Sequence, residues 1–199
     1  MYGESPARAL TVGHSNHRIE ILLGLLKGHE VGIVVDTRSQ PYSKYSPQFD
    51  RETLKTALAA HDIRYIHMGK ELGGRPTGAE FYDSEGHVLY DRVAGTRLFQ
   101  EGVARLEKGL GEFRVALLCS EENPAGCHRR LLIGRVLGDH GVAIDHIRGD
   151  GRLQSEADLI REESGDDGQL SLFEHGAIPQ WKSIPSVLPK KRQSGSSPG

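Results

Sequence analysis

Cysteines, net charge and long apolar runs are all scarce in this sequence. Two cysteines among 199 residues are too few for a disulfide framework, and a formal net charge of −2 excludes a globally basic surface for binding polyanions. No stretch approaches the roughly 20 apolar residues that cross a bilayer. The opening residues, MYGESPARAL, lack the apolar core of a signal peptide. We therefore expect a cytoplasmic protein with reduced thiols and no membrane partner.

Apolar residues make up only 37% of the chain, which indicates that part of its length does not pack into a core. The shortage is greatest after residue 150. Residues 151–175 hold two arginines against seven acidic residues, and the chain ends in SGSSPG. We expect an α/β domain over residues 9–150 and a largely disordered C-terminal tail over residues 151–199.

Short apolar runs alternate with helical patterns through the first 150 residues. After the first run, apolar residues between positions 19 and 26 follow the i, i+3, i+4, i+7 spacing of an amphipathic helix, and similar patterns follow three other runs. Asp50 is the predicted N-cap of the second helix. Buried strands separated by helices favour a Rossmann-like three-layer domain with a mostly parallel sheet of about five strands. The predicted strands are residues 9–13, 32–35, 63–68, 115–119 and 142–147.

Polar residues follow the ends of the predicted strands, where open parallel sheets bind their ligands. Because these ends meet at one edge of the sheet, we expect the residues to share a site. Some also have structural alternatives, as helix caps, an ion pair or a turn. The candidate catalytic residues are Asp36, Glu71, Glu121, Cys127 and His128. The candidate substrate-binding residues are His14, Ser15, Asn16, Arg38, Ser39, Gly73, Gly74, Arg75, Cys119 and Arg129.

Cys127 combines the features of a reactive thiol, within the segment CSEENPAGCHRR at residues 119–130. It is expected in the first turn of a helix, beside His128 and two arginines. Both the helix dipole and the cations favour a thiolate, which makes Cys127 a candidate nucleophile. The alternative is that Cys127 only packs under the loop, while His128 and Arg129 supply the polar groups of the site.

A bound metal is a further possibility for this site. The side chains with sulfur or nitrogen donors for Zn²⁺ are Cys119, Cys127, His128 and His14. Their spacing matches no familiar zinc module. The oxygen donors for Mg²⁺, as in a nuclease, are Asp36, Glu71 and Glu121. The sequence leaves the cofactor open, since Zn²⁺ and Mg²⁺ are both possible and neither is required.

Four polar motifs follow one another in the domain, in the order TVGHSN, VVDTRSQPYS, ELGGRP and LLCSEENPAGCHR. Together, over residues 9–148, they resemble the bacterial family catalogued as domain of unknown function 488. The resemblance implies a compact α/β domain with these motifs as its site, but it implies no reaction. It supports as site residues Asp36, Arg38, Glu71, Cys119, Glu121, Cys127, His128 and Arg129.

A short peptide in the acidic tail points to a partner. Residues 169–173, which are Gln169, Leu170, Ser171, Leu172 and Phe173, resemble the peptide by which bacterial polymerases and repair proteins dock on the DNA sliding clamp. An unfolded peptide of this kind places its apolar anchors in a pocket, while the glutamine bonds at the rim. The alternative is a short edge strand packed on the domain. The flanks, REESGDDG and EHGAIP, have the composition of unstructured segments and favour the clamp peptide.

The expected function combines the site with the clamp peptide. We expect a DNA-processing or repair enzyme, tethered to the sliding clamp, that cleaves the N-glycosidic bond of a modified or damaged base. An acid such as Asp36, Glu71 or Glu121 would activate water, and His128 or Arg129 would assist the leaving base. The alternatives are a metal-dependent nuclease, a thiol-dependent hydrolase or transferase using Cys127, and a non-catalytic module recruited to the clamp.

Contacts with DNA are expected from a local patch, because the domain as a whole is nearly neutral. Tyr42, Tyr45 and Phe49 would stack on bases in this interpretation, although they could equally anchor their loop. The cations that could bind phosphate are Arg38, Lys44, Arg51, Arg75, Arg129 and Arg130.

Overall fold

A six-stranded sheet forms the centre of the protein, in a computed structural model that describes residues 7–164 and 181–187. The strands are β1 (Arg8–Gly13), β2 (Ile33–Asp36), β3 (Arg64–His67), β4 (Val115–Cys119), β5 (Ala143–Ile147) and β6 (Leu153–Ser155). Their order is β3-β2-β4-β1-β5-β6, with β6 antiparallel to β5 and all other pairs parallel. The predicted α/β fold with a mostly parallel sheet is confirmed, and β6 is an additional strand beyond the five that were predicted.

Helices cover both faces of this sheet. The helices are α1 (Ile19–Gly28), α2 (Arg51–Ala59), α3 (Gly69–Leu72), α4 (Tyr90–Ala94), α5 (Arg97–Leu110), α6 (Arg135–Asp139) and α7 (Glu156–Ser164), with a π-helix over Arg129–Gly134 directly before α6. Leu10 and Val12 of β1 pack with α1 and α2, whereas Ala9 belongs to the core on the α5 face. Successive side chains of a strand point to opposite faces, so β1 contributes to both cores.

The apolar stripe of α1 explains why this segment forms a helix against the sheet. Leu22, Leu23 and Leu26 are buried, and the full burial of one leucine contributes about 1.5–3 kcal/mol. The predicted N-cap of α2, Asp50, is also confirmed in position. Its carboxylate, however, accepts a hydrogen bond from the backbone nitrogen of Ser43 at 2.9 Å rather than from a helix amide.

The carboxyl ends of β2, β4 and β1 lie side by side because β4 is the middle strand of the three. Gly13 is opposite Cys119 in the register, and the chain after β4 then crosses closely over Gly13. A Cβ atom at Gly13 would lie 1.7 Å from the carbonyl oxygen of Glu121, so only glycine fits there. This crossing brings the segment after Cys119 over the end of the sheet.

Part of the predicted tail packs on the domain. Strand β6 and helix α7 extend the structure past residue 150, and residues 181–187 return to pair with residues 86–90. The acidic composition suggested disorder, but Glu156 and Glu163 instead form ion pairs with Arg130 at 2.7 and 2.8 Å. The peptide at residues 169–173 lies outside the described residues. In the described part of the chain, every helix is too short or too polar to cross a bilayer.

Candidate active site

A pocket of about 350 Å³ opens at the carboxyl ends of β2 and β4. Several of the predicted site residues meet here. The residues that line it are Arg38, Ser39, Gln40, Tyr42, Ser43, Gly74, Arg75, Tyr90, Cys119, Ser120, Glu121, Gly126, Cys127, His128, Ser183, Pro185, Ser186 and Val187. The convergence predicted from the strand ends is therefore present for the second, third and fourth motifs.

Two thiols, a carboxylate and an imidazole form a compact cluster in this pocket. The sulfurs of Cys119 and Cys127 lie 2.8 and 3.2 Å from the same carboxylate oxygen, Oε2 of Glu121. Nδ1 of His128 lies 3.5 Å from the sulfur of Cys119 and 3.9 Å from that of Cys127. Both cysteines are free and buried. We refer to Cys119, Glu121, Cys127 and His128 as the thiol cluster.

The orientation of His128 is set by its neighbours. Its Nε2 donates a hydrogen bond to the carbonyl oxygen of Thr37 at 3.2 Å, which turns Nδ1 toward the two sulfurs. Gly74 packs directly on the imidazole, since a Cβ atom there would lie 2.6 Å from Cγ of His128. The neighbouring Gly73 is equally confined, because its Cβ would lie 2.3 Å from Oγ of Ser39. Gly74 thus allows the ELGGRP segment to approach the cluster closely, whereas Gly73 packs against Ser39.

The electrostatics of the thiol cluster favour a thiolate at Cys127. Burial opposes ionisation there, but hydrogen bonds from Cys119 and His128 and the positive charges of His128 and Arg129 lower the pKa of Cys127 to about 5. The hydrogen bond to Cys127, together with burial, raises the pKa of Cys119 well above its ordinary value. Although burial acts the other way, the hydrogen bond and charge of Cys127 raise the pKa of His128. These three pKa shifts describe a thiolate at Cys127 paired with an imidazolium at His128, beside a neutral Cys119.

Glu121 stays ionised beside the two sulfurs. Burial would raise its pKa, but the hydrogen bond from the Cys119 thiol and other contacts lower the pKa of Glu121 to about 2. The raised pKa keeps the proton on Cys119, whose thiol donates to Oε2 of Glu121 at 2.8 Å, and the same oxygen lies 3.2 Å from the sulfur of Cys127. Cys119 therefore positions the other members of the cluster and is the less reactive of the two thiols.

Arg129 holds the loop after β4 and does not face the pocket. Its side chain is completely buried, and its guanidinium donates to the carbonyl oxygens of Glu121 and Glu122 and, at 3.3 Å, to Oγ1 of Thr11. These contacts use the donors that a substrate anion would need. The prediction that Arg129 contacts the substrate is therefore wrong, and Arg129 has a structural role.

Asp36 also has a structural role. Its carboxylate accepts hydrogen bonds from Nε and Nη2 of Arg38 at 2.9 and 2.6 Å, and from the hydroxyl of Tyr65 at 2.7 Å. Arg38 in turn donates to Nε2 of His14 at 3.1 Å. Burial and the charge of Arg38 lower the pKa of His14 to about 4, so His14 is neutral and its Nδ1 donates to the carbonyl of Ser15. This network supports the side of the pocket lined by Arg38.

Three other predicted residues lie away from the pocket lining. Glu71 is on α3 and packs against α5, since a Cβ atom added at Gly102 would lie 2.7 Å from the Cβ atom of Glu71. Its carboxylate lies 3.9 Å from the guanidinium of Arg105. Ser15 and Asn16 continue from β1, on the far side of β4 from β2, and Ser15 has a left-handed backbone with φ of 47°. Glu71, Ser15 and Asn16 are therefore not among the residues that line the pocket, although the backbone nitrogen of Ser15 donates to the carbonyl of Ser120 at 2.7 Å.

One wall of the pocket could not be predicted from the sequence. Residues 183 and 185–187 complete the lining, together with Tyr90 of α4. Ser183 is fixed on this wall because its backbone nitrogen donates to the carbonyl of Val88 at 2.9 Å and its hydroxyl accepts from the nitrogen of Val88 at 2.9 Å. The only local signal is Trp181, a bulky apolar residue in a polar segment, whose indole donates to the carbonyl of Leu131 at 2.7 Å.

The expected phosphate patch is only partly present. Arg38, Arg129 and Arg130 are buried in contacts within the protein, whereas Lys44 and Arg75 are exposed. Of the aromatic residues expected to stack on bases, Tyr42 is 63% exposed and Tyr45 is 92% exposed. Phe49 is fully buried against the ring of His14, at 4.3 Å between ring centroids. It therefore anchors its loop, and the prediction that it stacks on a base is wrong.

Fold and site together define an α/β domain with a cysteine-, histidine- and glutamate-containing pocket at the carboxyl edge of a parallel sheet. The family described as Domain of unknown function DUF488 matches residues 18–136, which is more than half of the chain, and the protein belongs to this family. The match includes the thiol cluster and the ELGGRP motif, but it ends before residues 181–187. No curated protein and no solved structure matches the chain.

Proposed function

We propose that the protein is a thiol-dependent hydrolase or transferase with Cys127 as its nucleophile. The observation that carries this proposal is the cluster in which Cys127 faces the imidazole of His128 at 3.9 Å inside a pocket. A nucleophilic cysteine needs an adjacent histidine and a third group that orients the histidine. Here the carbonyl of Thr37 orients His128. The exposed cation at the rim, Arg75, favours a substrate with a negatively charged group.

The cluster supports a two-step reaction in which protons and charges balance. The Cys127 thiolate attacks an electrophilic carbon of the substrate, and the leaving group takes the proton from the His128 imidazolium. Neutral His128 then accepts a proton from water as the water attacks the carbonyl carbon of the thioester, and the C–S bond to Cys127 breaks. The product leaves, and the thiolate–imidazolium pair is restored. In a transferase, a second substrate takes the place of the water.

The positions of the acids favour this chemistry over cleavage of an N-glycosidic bond. That reaction needs a carboxylate free to activate water. Asp36 is saturated by Arg38 and Tyr65, and Glu71 lies outside the pocket lining. Glu121 lines the pocket, but its Oε2 is already held against the sulfurs of the thiol cluster. Mg²⁺ binding by Asp36, Glu71 and Glu121 is disfavoured too, because these three do not form a cluster of potential ligands in the described part of the chain.

Alkylation of the native protein tests the identity of the nucleophile. We expect iodoacetamide at neutral pH to label Cys127 in the wild type, and the label to be lost in Cys127→Ser. In Cys119→Ser, the label should remain at Cys127, because a serine at position 119 retains a hydroxyl donor toward Glu121. Peptide mass spectrometry identifies the labelled residue, and urea-unfolded protein controls for label at both thiols. Labelling of Cys119 alone, or of neither thiol, would contradict the proposal.

We also propose that residues 169–173 dock the enzyme on the DNA sliding clamp, so that it acts on DNA under replication or repair. The support is the peptide QLSLF, which lies between α7 and residues 181–187 and so is tied to the domain on both sides. The exposed rings of Tyr42 and Tyr45 with Lys44 between them are suited to stacking on bases and binding phosphate.

A binding assay with purified clamp tests this tether. The wild type is expected to be retained on immobilised clamp, and Leu172→Ala/Phe173→Ala is expected to lose retention because both apolar anchors are gone. Ile184→Ala, an exposed apolar residue of the neighbouring segment, is the matched control and should bind like the wild type. Equal retention of all three proteins, or of none, would remove this link to DNA.

A further inference from the structure

The three soft donors of the thiol cluster have the arrangement of a metal site. Ligand atoms of Cys119, Cys127 and His128 all lie within 4.8 Å of one another. In a tetrahedral zinc site, sulfur at about 2.3 Å and nitrogen at about 2.0–2.1 Å from the metal lie about 3.5 Å apart. The two distances from Nδ1 of His128 to the sulfurs are 3.5 and 3.9 Å, close to that value.

The surroundings of these donors fit a metal as well. Histidines that bind metals usually donate their other ring nitrogen to a carbonyl or carboxylate, and His128 donates to the carbonyl of Thr37. Two thiolates would neutralise a divalent cation, which suits a buried position. The carboxylate of Glu121 contacts both sulfurs but lies outside the group of ligand atoms, so it is placed to bond a metal-bound water and not the metal itself.

We propose that Cys119, Cys127 and His128 bind a thiophilic divalent cation, Zn²⁺ before Mg²⁺, and that the bound ion blocks the nucleophile. Thiolate and imidazole ligands select zinc-like ions, whereas Mg²⁺ requires oxygen ligands. His14, expected as a ligand from the sequence, is excluded because its two ring nitrogens already bond to Ser15 and Arg38. A bound cation withdraws charge from the sulfur of Cys127 and lies between it and His128, so the coordinated thiolate is a weaker nucleophile than the free one.

Only one other group of potential ligands occurs in the described part of the chain, and it is less suitable. Asp83, Glu85 and His87 lie on a loop, and Asp83 is already paired with Lys182 at 2.7 Å. This group offers no sulfur ligand, and a zinc ion bound there would have to displace Lys182 from Asp83. This second group therefore provides a matched control for the thiol cluster.

Titration of the metal-free full-length protein tests the binding site. We expect Cd²⁺ to produce a thiolate-to-metal absorption band that saturates at one equivalent, and Zn²⁺, as a competitor for the same ligands, to raise the Cd²⁺ concentration that gives half of the band. Cys119→Ser and His128→Gln are expected to weaken Cd²⁺ binding at least tenfold, whereas His87→Ala should bind like the wild type. Circular dichroism of each variant shows that it is folded. A wild type without the band, or a band insensitive to Cys119→Ser, would overturn the site.

Alkylation of the zinc-loaded protein tests the block and separates it from the proposed thiol activity. Iodoacetamide should label Cys127 in the metal-free protein and fail to label it after one equivalent of Zn²⁺, with recovery when a chelator is added. Labelling at an unchanged rate in saturated protein would overturn the block. If the metal binds but metal-free Cys127 is never labelled, the metal site stands and the nucleophile is wrong.

Discussion

Replacing Asp36 by alanine is expected to lower the free energy of unfolding by about 3–5 kcal/mol. The change leaves the guanidinium of Arg38 buried without its counter-ion, and removal of one partner from a buried ion pair costs about this much. The hydroxyl of Tyr65 loses its acceptor at the same time. Urea unfolding followed by circular dichroism measures the effect.

Two further variants separate the charge of Asp36 from its hydrogen bonds. Asp36→Asn keeps one acceptor oxygen and the shape of the side chain, so its free energy of unfolding should fall between those of the wild type and the alanine variant. Tyr65→Phe removes a single hydrogen bond to a charged group and should cost about 1.5–3 kcal/mol. If Asp36→Ala unfolds within about 1 kcal/mol of the wild type, the pair with Arg38 does not support this side of the pocket.

The elements that depend on local pattern were predictable. The stripe at Leu22, Leu23 and Leu26 has helical spacing and forms α1, and each predicted strand overlaps an observed one. The position of the site was also predictable, because the carboxyl ends of parallel strands lie at the same edge of a sheet. That rule was enough to bring Cys119, Cys127 and His128 to one place before any contact between them was known.

The elements that depend on distant partners were not predictable. Helix α7 is acidic, and it packs through contacts of Glu156 with Arg130, 26 residues earlier, and with His146, and through the buried side chain of Leu159. Residues 181–187 pair with a segment 95 residues earlier at Val88. Composition describes a segment alone, so it cannot reveal the partner that neutralises or covers it.

The roles of the polar residues were the least predictable feature of the site. Arg129 and Arg130 are neighbours in a π-helix, whose hydrogen bonds run from i to i+5, so the face that each side chain occupies does not follow from a 3.6-residue period. The sequence therefore predicted that an arginine lies near the cluster, but not whether its side chain faces the pocket or the interior. Similarly, Glu71 follows β3 as expected but turns toward α5.

The direction of Arg129 leads to the second large effect, in Arg129→Met. Methionine fills much of the space, but it removes the guanidinium donors to the carbonyl oxygens of Glu121 and Glu122. A hydrogen bond to a charged group contributes about 1.5–3 kcal/mol, so the variant is expected to lose about 3–5 kcal/mol of stability. The loop that carries Glu121 would also separate from the sulfurs, and the rate of Cys127 alkylation in the folded protein should fall.

Arg129→Lys distinguishes the fork of the guanidinium from its charge. Lysine restores the positive charge, but its single ammonium cannot bond both carbonyls in the geometry of the guanidinium, so its stability should lie between those of the wild type and Arg129→Met. Unfolding in urea and the alkylation rate, measured on the same samples, should change together across the three proteins. A methionine variant as stable as the wild type, with unchanged labelling of Cys127, would show that the loop after β4 holds its position without Arg129. The thiol cluster would then be organised by its own hydrogen bonds, with Glu121 as the central acceptor.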